Sequence, residues 1–81
     1  MKFYYVYILE SENGEEHFYV EFTEDLKARL LKHNEGGVPH TAQYRPWRIK
    51  TAVAFTERKK ALDFERYLKT GSGRAFAKKR L

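Results

Sequence analysis

Residues 3–9 carry apolar side chains on both faces of a strand, with Phe3, Tyr5, Tyr7 and Leu9 on one and Tyr4, Val6 and Ile8 on the other. A strand that is apolar both ways needs a cover on both sides, which predicts the central strand of a sheet. A second run, residues 17–22, alternates more cleanly: Phe18, Val20 and Phe22 point one way, His17, Tyr19 and Glu21 the other. Between the runs, Glu12-Asn13-Gly14 is a hairpin signal. Loop length sets the register. A two-residue turn pairs Tyr7 with Val20 and puts Tyr7 and Tyr19 on opposite faces. A three-residue loop, with Gly14 left-handed as a bulge, pairs Tyr7 with Tyr19 and brings both phenols to one face. We adopt the second register.

Further along, Thr23 is placed to cap a helix whose first turn holds Glu24 and Asp25 and which runs to about Asn34, where Gly36 and Gly37 stop it. Residues 36–46, with Pro39 and Pro46, read as a loop. Arg48 to Phe55 is a third strand. Thr56 caps a second helix running through about Lys69, Gly71-Ser72-Gly73 breaks it, and a short basic helix spans Arg74 to Arg80.

The chain has 81 residues, which predicts one domain over 1–81. It has no cysteine, so neither a disulfide nor a thiolate metal site is available. No apolar run approaches the roughly 20 residues of a membrane helix. A signal-peptide pattern is lacking too, so a cytoplasmic protein is expected. The formal net charge is +5 and lies unevenly. Most acids fall between Glu10 and Asp25, whereas the charges from Arg66 onward (Arg66, Lys69, Arg74, Lys78, Lys79 and Arg80) are all positive. A one-sided basic distribution fits a polyanion partner, nucleic acid first, or a merely solubilising surface.

Three side chains stand out on the helices. Arg29 and His33 lie three and seven residues after Leu26, at the border of the Leu26–Leu30 apolar stripe. This position suits either a functional arginine or one laying its stem along the core edge. Glu65 falls within the stripe of Ala61, Phe64 and Leu68. A carboxylate there needs a partner, which makes it either a salt bridge to Arg29 or a metal ligand. A lone carboxylate suits Mg²⁺, which keeps most of its waters. An arginine balances charge building on a phosphoryl group, a tyrosine of lowered pKa activates water, and a histidine relays the proton. Trp47, Tyr44 and Arg45 offer a different use, stacking an unpaired RNA base.

The chain resembles the GIY-YIG nuclease superfamily, in particular its small single-domain bacterial members. Tyr5-Val6-Tyr7 stands at the first motif and Tyr19-Val20-Glu21 at the second. Asp25-Leu26, Arg29-Leu30 and His33-Asn34 match the first-helix signature. Residues 41–47 (Thr-Ala-Gln-Tyr-Arg-Pro-Trp), 64–69 (Phe-Glu-Arg-Tyr-Leu-Lys) and 71–74 (Gly-Ser-Gly-Arg) extend the likeness over nearly the whole chain. The resemblance implies an α+β fold, a three-stranded antiparallel sheet flanked by helices. It implies Tyr7 and Tyr19 as paired active-site tyrosines, Arg29 on the phosphate, His33 as a supporting acid or base, and Glu65 as sole ligand of Mg²⁺ or Mn²⁺. The implied reaction is hydrolysis of DNA phosphodiesters in repair or recombination. Branched or nicked DNA is among the candidate substrates, and Lys69, Arg74, Lys78 and Lys79 would hold the backbone. Delivery by an unnamed protein partner is compatible with so small a domain. Two glycines of the pattern are replaced, by Tyr5 and by Glu21. Glycine permits close approach of a ligand, and Glu21 adds bulk and negative charge. Glu21 turns outward harmlessly, serves as a second metal ligand, or blunts catalysis and leaves a nucleic-acid-binding domain.

Overall fold

A computed structural model describes residues 1–14 and 16–81. The elements, in order, are β1 (Tyr4–Ser11), β2 (Phe18–Thr23), α1 (Leu26–Asn34), α2 (Pro39–Ala42), β3 (Trp47–Phe55), α3 (Arg58–Leu68) and α4 (Gly71–Arg80). The sheet is antiparallel with order β2-β1-β3, so the doubly apolar strand is central as its composition requires. The fold is therefore α+β, with helices on both faces of three strands.

The hairpin register differs from expectation. Tyr7 pairs with Glu21 and Leu9 with Tyr19. The hairpin closes where the Ser11 N–H donates to the His17 carbonyl at 3.0 Å, so residues 12–16 connect the strands rather than three residues. Gly14 does take a left-handed conformation, φ +95°. The slip from the expected register is an even number of residues, so every side chain keeps its face. Tyr7, Tyr19 and Glu21 all point the same way.

The caps also shift. Asp25, not Thr23, caps α1, its Oδ1 accepting from the Ala28 N–H at 3.0 Å. The Thr23 hydroxyl instead accepts from the Asp25 N–H at 3.1 Å. Glu57, not Thr56, stands at the start of α3, and its side chain makes no capping bond. Within the expected loop, Pro39 opens the short α2. The segment 71–73 is not a break but the first turn of α4, capped by the Thr70 hydroxyl accepting from the Gly73 N–H at 3.1 Å. A Cβ on Gly73 would lie 1.8 Å from the Tyr67 carbonyl oxygen, so glycine is required here for one helix to turn tightly onto the next.

Two apolar clusters sit on opposite faces of the sheet. Val6, Ala61 and Leu68 form one, with Val20, Phe22, Phe55 and Phe64 packed around them under α3 and α4. Tyr7, Leu9 and Trp47 form the other, joined by Tyr19, Leu26 and Leu30 on the side of α1. Asn34 ties α1 to the start of β3: its Oδ1 accepts from the Trp47 N–H at 2.6 Å and its amide donates to the Trp47 carbonyl at 3.0 Å.

Candidate active site

The second face gathers polar side chains on one carboxylate. Arg29 donates to Glu21 through two nitrogens, Nε at 2.6 Å and Nη2 at 3.0 Å. The Tyr7 hydroxyl donates to Glu21 Oε1 at 2.5 Å and the Tyr19 hydroxyl to Oε2 at 3.3 Å. His33 Nε2 lies 3.0 Å from the Tyr7 oxygen and 3.6 Å from Glu21 Oε1. Local sequence explains the convergence. Tyr19 and Glu21 are two apart on β2 and share a face, Tyr7 is Glu21's cross-strand partner, and Arg29 and His33 are one turn apart on the helix that follows β2.

The network has a direction. A phenol has one proton, and the short contact aims Tyr7's proton at Glu21. The 3.0 Å contact with His33 then needs the proton on Nε2. That leaves Nδ1, 2.8 Å from the Thr41 oxygen, to share the single hydroxyl proton of Thr41 with the Val38 carbonyl at 3.2 Å. His33 is wholly buried and Thr41 nearly so. Thr41 holds the ring that faces Tyr7, a role the sequence reading missed. The only sequence signal for it was its place at the head of the 41–47 segment.

Burial shapes the titration of every member. Burial would raise the Glu21 carboxyl, but the bonds from Arg29 and Tyr7, with Arg29's charge, outweigh it and hold the group down at about 2. Hydrogen bonding to Glu21 raises Arg29 above its usual range. Tyr7 is raised, first by burial and then by its bond to Glu21, and Tyr19 is raised by burial and by the charges of Glu21 and Glu65. Within this network both phenols stay protonated at neutral pH, so a lowered tyrosine pKa would have to come from a bound cation. Burial pushes His33 down, so it is a neutral ring.

Glu21 does not turn outward. Both its oxygens are engaged by Arg29 and the tyrosines, which leaves the carboxylate no free face for a metal. Nor does Glu65 pair with Arg29. It lies on α3, on the other layer, and accepts from Lys69 Nζ at 3.3 Å within its own helix. Its side chain is 21% exposed rather than sunk in the stripe, and it reaches the cluster only through the effect of its charge on Tyr19. Among the described residues no three carboxylates or histidines gather as a metal cage. Glu65 alone suits a hydrated ion: it is partly open, and its partner is an exposed lysine that can swing away. Trp47 is not free to stack a base, because it is buried and its indole N–H donates to the Thr41 carbonyl at 2.8 Å. Tyr44 packs on His17, ring centroids 3.7 Å apart. Lys69, Arg74 and Lys78 line one groove, whereas Lys79 stands exposed outside its wall.

Residues 3–80 match the GIY-YIG catalytic domain. A UPF0213 protein of Lacticaseibacillus paracasei is 42% identical over 69 residues, covering 84% of this chain and 75% of the relative. The structure-specific endonuclease subunit SLX1 of Scheffersomyces stipitis is 41% identical over 70 residues, but the match covers only 21% of that longer protein. The solution NMR structure of a UPF0213 protein from Bacillus halodurans superposes with a TM-score of 0.55 at 32% identity, covering 94% of this chain and 80% of that one. Among the described residues, no helix is long and apolar enough to cross a membrane. A family match that spans both tyrosine-bearing strands, the arginine helix and the acid-bearing helix carries the same conclusion as the geometry: the chain belongs to the GIY-YIG family of nuclease domains.

Proposed function

We propose that the chain is a divalent-metal-dependent endonuclease that hydrolyses DNA phosphodiester bonds, with Tyr7, Tyr19, Arg29, His33 and Glu65 as its working residues. One observation carries the reading. Four side chains from three elements surround a single anion, and the donors that hold the Glu21 carboxylate are the ones a scissile phosphate needs. Two nitrogens of Arg29 match two non-bridging oxygens, and Tyr19 supplies a further donor. Once a phosphate takes the carboxylate's place, Tyr7 is free to turn its proton to His33 Nε2. The phenol oxygen then accepts a proton from the attacking water while its own proton passes to His33 Nε2, in the ring tautomer that carries its first proton on Nδ1 toward Thr41, leaving an imidazolium. A new P–O bond forms, the bond to the leaving oxygen breaks, and solvent protonates that oxygen. Because Tyr7 ionises so reluctantly, it acts only in concert with the ring beside it. Glu65 would hold Mg²⁺ or Mn²⁺, which supplies charge to the phosphoryl oxygens. The relative named as a structure-specific endonuclease subunit supports a choice of DNA by its structure, and branched DNA in repair or recombination is the setting we assign to it.

Nicking of supercoiled and branched DNA by the purified chain with Mg²⁺ or Mn²⁺ tests this. Glu65→Gln should abolish nicking and leave binding within about twofold or tighter, since it removes the carboxylate that would hold the metal and releases Lys69. Nicking that survives the change rules out the assigned role.

A second reading has its own observation. Glu21 is an internal competitor for the phosphate site, and while it holds both Arg29 nitrogens the chain binds nucleic acid without cutting it. Displacing such an anion against a second one costs about 1–4 kcal/mol at the effective dielectric of a protein surface. Glu21→Gly should therefore raise the nicking rate by about 5- to 1000-fold. An unchanged rate would clear Glu21 of any inhibitory part.

A further inference from the structure

We infer that a groove on the far side of β2 is the seat of one unpaired nucleotide of the substrate strand. The groove has a volume of about 670 Å³ and lies between the sheet and α4. Its floor is apolar, made by Ile8 and Val20 of the strands and Leu68 and Ala77 of the helices. At its lip stands Phe18, a large ring left 47% exposed on the edge strand. Four cations from three elements, Lys50, Lys69, Arg74 and Lys78, surround it against one carboxylate, Glu16. Lys69 bonds Glu65, whereas the head groups of Lys50, Arg74 and Lys78 have no ion-pair partner among the described residues.

The chemistry of the walls selects the occupant. Clustered cations, three of them without an ion-pair partner among the described residues, call for an anion, and one that carries several charges in a row. An apolar floor with an open ring at its edge calls for a flat, unsolvated face. A nucleotide offers both, with its phosphates at the lysines and its base on Phe18. A paired base cannot present its face, because its neighbours in the stack cover it. The occupant is thus a base that is looped out, single-stranded or at a junction. The volume is in the range of about 300–1,000 Å³ that small-ligand sites occupy, enough for one nucleotide and too little for a duplex.

The groove and the candidate active site share a residue. Tyr19 is part of its wall, and the same phenol donates to Glu21 at 3.3 Å. Lys69 is on its rim and reaches Glu65 at 3.3 Å. A base seated on Phe18 therefore places its neighbouring phosphate at the edge of β2, where Tyr19 and the charge of Glu65 meet. This gives the proposed nuclease a physical means of choosing distorted DNA. It rests on that reading for the identity of the substrate, not for the binding itself.

The test uses the full chain without metal, so that binding is read apart from cutting. Three fluorescein-labelled DNA probes of one sequence are titrated by anisotropy: a single strand, a blunt duplex, and the duplex with one unpaired nucleotide. The two probes with unpaired bases should bind on the order of tenfold tighter than the blunt duplex, the scale of one base stacked on an aromatic ring. Phe18→Ala should erase that preference and leave duplex binding unchanged, while Phe18→Leu, which keeps an apolar lip, should lose most of it. Lys78→Gln should weaken all three probes and lower the salt slope by about one. Equal affinity for the three probes, or a preference that survives Phe18→Ala in a chain with an unaltered melting curve, would overturn the assignment. So would a polyglutamate peptide that displaces the single strand at equal charge concentration, since it would mark the groove as a seat for an acidic protein segment. A preference that persists in a chain that never nicks DNA would support the groove and discard the nuclease.

Discussion

The two faces of the sheet are made from alternate residues of the same three strands, yet they bury different chemistry. Under α3 and α4, Val6, Ala61 and Leu68 are enclosed by Phe22, Phe55 and Phe64. Under α1 and α2, the most deeply buried groups include Tyr7, His33 and Thr41, linked as a chain of hydrogen bonds that ends on Glu21. The first face gains stability by removing apolar surface from water, and side chains of similar volume can replace one another there. The second has no such tolerance. Each member satisfies the next, no buried side-chain polar atom among the described residues lacks a partner, and removing one leaves another desolvated and unpaired. The candidate site lies where the packing is least replaceable.

Mutation and pH can break this contrast. Leu68→Ala should have the largest effect, a loss of about 2–5 kcal/mol in urea unfolding, because it opens a cavity in the apolar face. A loss under about 1 kcal/mol would mean that this face is not the main source of stability. The next effect is acid-dependent and belongs to the polar face. Glu21 is depressed from 4.5 to about 2 on folding. A lowered folded-state pKa contributes fully above pH 4.5 and is lost as pH falls through about 2, an effect of about 3 kcal/mol at most. Buried neutral His33 acts in the same direction at milder pH, because the unfolded ring takes up a proton first, near 6.5. Glu21→Gln should flatten the lower part of this acid limb; an unchanged profile below pH 4.5 would contradict the ion pair. The smallest effect is Thr41→Val, about 1–3 kcal/mol for leaving His33 Nδ1 without its donor despite near-equal volume. A neutral outcome would show that the ring needs no such support.

Much of this arrangement is legible along the chain because strand and helix periods are short-range. The alternation of residues 17–22 places Tyr19 and Glu21 together, and the spacing of Leu26, Arg29 and His33 leans the last two toward the sheet. The hairpin register is not legible, because Asn13-Gly14 marks a turn without stating how many residues flank it. The face survives that error only because the slip is even. The threonines at positions 23 and 56 look like caps by type, yet the helices begin after Asp25 and Glu57, where the backbone leaves the sheet. A carboxylate within an apolar stripe leaves Glu65 open to pairing with Arg29 at the border of another or to holding a metal, and the first is excluded because those stripes face opposite sides of the sheet.

By itself, then, the order of residues determines which elements form, which side chains share a face and which chemistry those side chains can supply. These follow from local periods of two and 3.6 residues. Tertiary structure alone decides that Arg29 meets Glu21 rather than Glu65, that His33 is sealed between Tyr7 and Thr41, and that Lys50, Lys69, Arg74 and Lys78 ring one groove. Charge and hydrogen-bonding partners are chosen by distance in space, and separation along the chain carries no measure of it.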